Sequence, residues 1–279
     1  MKSWEKGMPR PQFLTFKKSK QSQPWFDCYD IGNDIIAIYE PYQFQEVISY
    51  LIKGKDKALL LDTGLGVGKM KEVVSELWNK DYMVVNSHRH FDHVGGNYEF
   101  DEVHIYNHPK MYEGVVNECP KEKWENQFSI DNVSEASPIK DFPYFHGFPK
   151  KYICFDEGYV FDLGNRKFKV IHTPGHSDES VMLVNEEEKL LFTGDTFYNA
   201  TLYCFEGTFE TYIETMKKLS EDYYDYTLIT SHNEPYNKGS ILKDVYKGFL
   251  KIKNGEKKPD GKEFNMYYYQ FENFSFIKK

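Results

Sequence analysis

Residues 88–93 read His88-Arg89-His90-Phe91-Asp92-His93, three imidazoles and a carboxylate within six positions. Imidazole nitrogen and carboxylate oxygen are ligands that borderline divalent cations such as zinc take up. Neighbouring imidazoles neither pack efficiently nor cap helices, so crowding them together points to a metal site rather than to a structural use. Residues of the same chemistry recur further along the chain, at His176, Asp195 and His232.

The surrounding sequence shows how these residues would be held. Short apolar runs rich in β-formers each end in a polar residue and turn chemistry. Ala58-Leu59-Leu60-Leu61 leads into Asp62-Thr63-Gly64, and Tyr82-Met83-Val84-Val85-Asn86 into Ser87-His88. Phe168-Lys169-Val170-Ile171-His172 leads into Thr173-Pro174-Gly175-His176, and Leu190-Leu191-Phe192-Thr193 into Gly194-Asp195. Tyr226-Thr227-Leu228-Ile229-Thr230 leads into Ser231-His232. Near-continuous apolar strands are covered on both faces, which places them inside a layered α/β structure. Helical spacing of apolar residues at 69–79, 208–220 and 241–252 supplies the covers. His88, His176, Asp195 and His232 therefore all follow the ends of buried strands, where loops on a rigid scaffold gather sites. They are expected to form one site.

The bulk composition bounds the rest. A chain of 279 residues, 40% hydrophobic, can bury a proper core in one domain. Its net charge of −8 argues against a nucleic-acid binder. No apolar run has the length of a membrane span, the basic start lacks a secretion signal, and a cytoplasmic address is expected. Cys28, Cys119, Cys154 and Cys204 show no paired spacing and are expected to be reduced and at least semi-buried.

Taken in order, these motifs resemble the metallo-β-lactamase superfamily of metal-dependent hydrolases. Its HxHxDH pattern is filled by residues 88–93, followed by Val94-Gly95-Gly96-Asn97. Thr173-Pro174-Gly175-His176-Ser177, Phe192-Thr193-Gly194-Asp195-Thr196, Ser231-His232 and the Asp62-Thr63-Gly64 turn match as well, across about residues 30–235. The resemblance implies an α/β fold, the αββα sandwich, with two mixed β-sheets face to face and helices on the outer faces. It implies one metal on His88, His90 and His176, a second on Asp92, His93 and His232, and Asp195 bridging both. Asp62 would accept a hydrogen bond that orients a ligand imidazole.

A carboxylate at Asp195 resembles the glyoxalase II-like, lactonase-like and phosphodiesterase-like branches, whereas B1-type β-lactamases place a cysteine among their ligands. Tyr203-Cys204 stands where the glyoxalase II segment has a Cys-Gly pair, and no glutathione-binding cluster follows His232. Tyr198 falls where N-acyl homoserine lactonases have a tyrosine beside the metals, so its phenol would donate to an oxyanion.

The implied chemistry is that of a dinuclear hydrolase. Two cations about 3.5–4 Å apart share a water and lower its pKa, and a bridging hydroxide attacks the electrophile while one metal polarises it. Asp92 would orient the hydroxide and pass its proton towards the leaving group. Five His and two Asp suit two zinc ions, and manganese or iron tolerate the same set. The expected substrate is a small molecule bearing an ester, lactone or thioester. Alternatives are a phosphodiesterase, for which Arg89 is the only basic residue in the motif and is expected to face solvent, and a flavodiiron-type oxidoreductase module. The latter family has a glutamate where this chain has His90.

Of the other histidines, His172 is expected to pack within its strand and His104 and His108 to lie on the surface. The chain is expected to be one domain over 1–279, with a lid inserted at about 109–158. Within the lid, Tyr144, Phe145, His146 and Phe148 would line an apolar substrate pocket. An aromatic strand at about 264–277 could complete a sheet or mediate a homodimer.

Overall fold

Runs of Ile, Leu and Ala without polar alternation form strands covered on both faces, and such strands organise both units of the chain. The computed structural model describes residues 7–114, 149–204 and 208–279. One unit comprises the described residues of Met1–Asp156, with Phe161–Lys167 and His232–Glu234. The other comprises Glu157–Val160, Phe168–Ser231 and Pro235–Lys279.

The first unit holds an eight-stranded mixed sheet whose strands follow chain order: β1 (Lys17–Ser19), β2 (Asp27–Gly32), β3 (Ile35–Tyr39), β4 (Ile48–Lys53), β5 (Ala58–Leu61), β6 (Tyr82–Val85), β7 (Glu102–Tyr106) and β8 (Lys151–Phe155). Pairing is antiparallel from β1 to β5 and parallel from β5 to β8. Every residue of β3 and β5 is buried. The helix Met70–Leu77 buries Met70, Val73 and Val74, one face at helical spacing. Its N-terminal amides are capped from outside the helix, since Glu99 accepts from Met70 N at 3.0 Å and Lys71 N at 3.3 Å.

The remaining strands are β9 (Val160–Asp162), β10 (Lys167–His172), β11 (Val181–Asn185), β12 (Leu190–Phe192), β13 (Thr201–Cys204), β14 (Thr227–Ile229), β15 (Tyr236–Lys238), β16 (Gly261–Glu263), β17 (Met266–Gln270) and β18 (Ser275–Lys278). A mixed sheet runs in the order β15-β14-β12-β11-β10-β9, and a separate four-stranded sheet in the order β13-β18-β17-β16. The helix Phe209–Asp222 starts at Thr208, whose side chain accepts from Thr211 N. The helix Ile241–Lys253 buries Leu242, Val245 and Phe249, and a Cβ on its Gly248 would lie 2.5 Å from the Phe274 ring.

Two expectations change in detail. The segment at 109–158 opens with the helix Pro109–Gly114 and closes in β8, a regular strand paired with β7, so its last part belongs to a sheet. Tyr144, Phe145, His146 and Phe148 lie outside the described residues. The aromatic stretch at 264–277 is two antiparallel strands, β17 and β18, joined by a turn in which Phe271 N donates to Phe274 O. Among the described residues no helix is long and apolar enough to cross a membrane.

Candidate metal centre

In the first unit, β5 is followed by Asp62, which takes a left-handed backbone with φ of 63°. Its carboxylate is buried and accepts from both Ser87 N and Ser87 Oγ at 2.7 Å. Asp62 Oδ2 also lies 2.8 Å from His93 Nδ1. Carboxylates hold this position beside ligand imidazoles because they fix the ring and raise its basicity. Three residues beyond the end of β6, His88 is fully buried, with Nδ1 3.0 Å from Ser87 Oγ. The single Ser87 hydroxyl proton goes to Asp62, so at His88 this oxygen accepts and Nδ1 carries the proton.

The turn Phe91–Val94 is helical, with Val94 N donating to His90 O at 3.2 Å, and it gathers the motif's side chains. The His88 ring centroid is 4.7 Å from that of His90 and 4.2 Å from that of His93. Behind them a buried amide network fixes the loop. Asn86 and Thr63 both bond Asn97, and Thr63 N donates to His93 O at 2.8 Å. The loop also packs backbone against backbone, because a Cβ on Gly95 would stand 2.3 Å from Leu65 O.

His232 belongs to this same unit, three residues beyond Ile229 at the end of β14. Its Nδ1 is 2.7 Å from Gln45 O. A carbonyl can only accept, so Nδ1 again carries the proton and Nε2 the lone pair. His232 Nε2 stands 3.7 Å from Asp92 Oδ2, and His93 Nε2 stands 3.5 Å from the same oxygen. Asp92, His93 and His232, all buried, thus converge with ligand atoms within 4.8 Å of one another.

The second unit holds the other pair. His176 Nε2 lies 3.4 Å from Asp195 Oδ2, and His176 Nδ1 lies 3.1 Å from Tyr203 O on β13. Gly175, at φ of 154°, admits the loop against the Tyr212 ring, which a Cβ would meet at 2.4 Å. Tyr212 OH in turn donates to Thr196 O at 2.6 Å, beside Asp195. In His88, His93, His176 and His232 alike, Nδ1 is protonated and bonded within its own unit, which presents Nε2 as the ligand atom. This donor set, imidazole Nε2 with carboxylate oxygen, fits a borderline divalent cation.

Tyr198 is buried, and its hydroxyl donates to Thr201 O at 2.7 Å. A phenol has one proton, so this bond takes the donor expected to face an oxyanion. Arg89, expected in solvent, is only 7% exposed. His104 is half-buried in β7, its Nδ1 3.0 Å from Val84 O, and burial pushes its pKa down. Cys28 and Cys204 are buried, their thiols pushed up to about 12 and about 11, while Cys154 is exposed, contrary to expectation. Cys119 is outside the described residues.

The residues missed from sequence are the supports. Ser87 had a signal, as a polar neighbour at the end of a buried strand. Gln45 and Tyr203 act through backbone carbonyls and leave no side-chain signature. Glu40 is also new: it is buried, accepts from Leu65 N at 3.0 Å and from Trp25 Nε1, and burial raises its pKa to about 8.

The family model of the metallo-β-lactamase superfamily matches residues 45–232, more than half of the chain. The chain belongs to that superfamily. It is 25% identical over 228 residues to human acyl-coenzyme A thioesterase MBLAC2, covering 71% of this chain and 76% of the relative. It is 24% identical over 201 residues to hydroxyacylglutathione hydrolase GloC of Haemophilus influenzae, covering 71% and 90%. Among solved structures, a metallo-β-lactamase from Pontibacter korlensis superposes with a TM-score of 0.58 at 17% identity, over 81% of this chain and 99% of that one. A superfamily protein from the archaeon Sulfolobus tokodaii gives 0.55 at 19%, over 84% and 93%. These likenesses show the fold, the αββα sandwich of the superfamily.

Proposed function

We propose that the chain is a dinuclear metal-dependent hydrolase of thioesters. The observation that carries this reading is Asp92 Oδ2 facing the Nε2 atoms of both His93 and His232, each ring locked through Nδ1. In this reading Asp92, His93 and His232 would hold one cation, and the rest of the expected set, His88, His90, His176 and Asp195, would hold the other. Bound there, two divalent cations supply an activated water and Lewis acidity at the electrophile. Zinc fits the donor set best. Asp92 orients the attacking water and carries its proton to the leaving thiolate. Asp62 keeps the His93 ring in its ligating tautomer. Tyr198 is assigned to packing rather than to the oxyanion.

Thioesters are favoured over esters and lactones by the relatives, named as an acyl-coenzyme A thioesterase, a hydroxyacylglutathione hydrolase and, in Emericella nidulans, an atrochrysone carboxyl ACP thioesterase at 24% identity. The test is release of free thiol from acyl-coenzyme A and hydroxyacylglutathione by zinc-replete protein. p-Nitrophenyl esters, lactones and bis-p-nitrophenyl phosphate run in parallel. Turnover of a thioester at least tenfold above the other classes supports the reading. Preference for the phosphodiester, or loss of none of the activity in His90→Ala, contradicts it.

A further inference from the structure

The His232 loop is fastened by a segment far away in sequence. Gln45 O meets His232 Nδ1 at 2.7 Å, Glu46 O accepts from Asn233 N at 3.2 Å, and Val47 bridges His232. Three successive residues thus form the cradle of one imidazole. The middle one is held in an unusual state. Glu46 has φ of 51°, sparsely populated for a residue with a Cβ, and its side chain is completely buried. Its carboxylate is gripped by Arg10 through both Nε, at 2.9 Å, and Nη2, and it accepts from Tyr39 OH at 2.5 Å. A fork of this kind fixes direction as well as charge. Two residues after Arg10, Gln12 reaches the other side of the same loop, donating from its backbone N to Glu234 Oε1 at 3.0 Å. All of these residues belong to the first unit.

From this we infer that Arg10 and Glu46 are positioning residues for His232: the ion pair sets the Gln45–Val47 cradle and so the direction of His232 Nε2 towards Asp92. The inference rests on the two-cation reading above. A buried carboxylate in a left-handed turn would be a poor choice for mere packing, because burial penalises the charge and the turn favours glycine. Its use is explained if the cradle must be rigid.

The experiment measures zinc binding to the full chain, by competition with a chromophoric chelator, in wild type, Arg10→Gln, Arg10→Lys and Phe13→Leu. Phe13 lies in the same segment, its backbone N donating to Arg10 O at 3.0 Å and its ring stacked on Tyr39, so shortening its side chain loosens the segment while the ion pair keeps both partners. Arg10→Gln is expected to weaken one of the two zinc ions by about 10- to 100-fold and leave the other unchanged. Arg10→Lys, which keeps the charge and loses the fork, recovers part of that loss. Phe13→Leu lowers the melting temperature without a selective loss of zinc. If Arg10→Gln does not fold, Arg10→Lys must still show the selective weakening. Unchanged zinc constants, or equal weakening of both ions that tracks the melting temperature, would overturn the inference while leaving the two-cation reading intact. A wild type that binds fewer than two zinc ions would instead overturn that reading, and this inference with it.

Discussion

Asp62 Oδ2 lies 2.8 Å from His93 Nδ1, and the same carboxylate accepts both hydrogen-bonding groups of Ser87. One side chain at the end of β5 therefore ties together the residue that backs His88 and the ring of His93. The first half of the candidate centre is built from this junction outward.

Asp62→Ala should for that reason act on both stability and metal. Ser87 N would be left buried without its acceptor, at about 1–3 kcal/mol, and zinc affinity should fall by about 10- to 100-fold. Urea denaturation and zinc titration read the two effects. Intact zinc affinity in a destabilised variant would limit Asp62 to a turn-forming role.

Gly95→Ala should be poorly tolerated. The new Cβ would sit 2.3 Å from Leu65 O, backbone against backbone, with no flexible side chain to give way. A loss of about 2–4 kcal/mol is expected, in the range of overpacked buried sites. A denaturation midpoint equal to wild type would show that the Asp62 and His93 loops can separate.

Tyr198→Phe separates packing from catalysis. Removing the bond to Thr201 O should cost about 1 kcal/mol and change kcat by less than about threefold. A fall in kcat of a hundredfold at unchanged KM would return the phenol to the oxyanion.

Glu40 gives a pH signature. Burial raises its carboxyl from the ordinary 4.5 to about 8, helped by Asp92 and opposed by the donors Trp25 and Leu65 and by His93. Because the folded value is the higher one, the folded state holds a proton that the unfolded chain has lost. This contribution is complete below 4.5 and disappears as pH rises to about 8. Metal-free protein should thus lose stability from pH 5 to 8, and Glu40→Gln should flatten that slope. Parallel profiles in the two proteins would contradict it.

How far the sequence reveals this site depends on where the information lies. Strands with unbroken apolar runs, such as Ala58–Leu61, were legible, and so were the candidate metal-binding residues that follow them, because burial and metal chemistry both constrain side-chain type. Helix limits shifted by a residue or two, as frayed ends do. Gln45 and Tyr203 were not legible, since any residue offers a carbonyl. Arg89 misled for a different reason: a lone basic residue within the His88–His93 motif reads as solvent-facing, and its burial depends on tertiary surroundings. The commitment of Tyr198 to Thr201 O is likewise a matter of rotamer, invisible in a chain with 22 tyrosines.

The most direct test of the central claim is thioester turnover as zinc is titrated into metal-free protein. Two cations acting together predict little activity up to one equivalent per chain, a rise between one and two, and a plateau at two. Full activity without metal, or a plateau at one equivalent, would contradict the account.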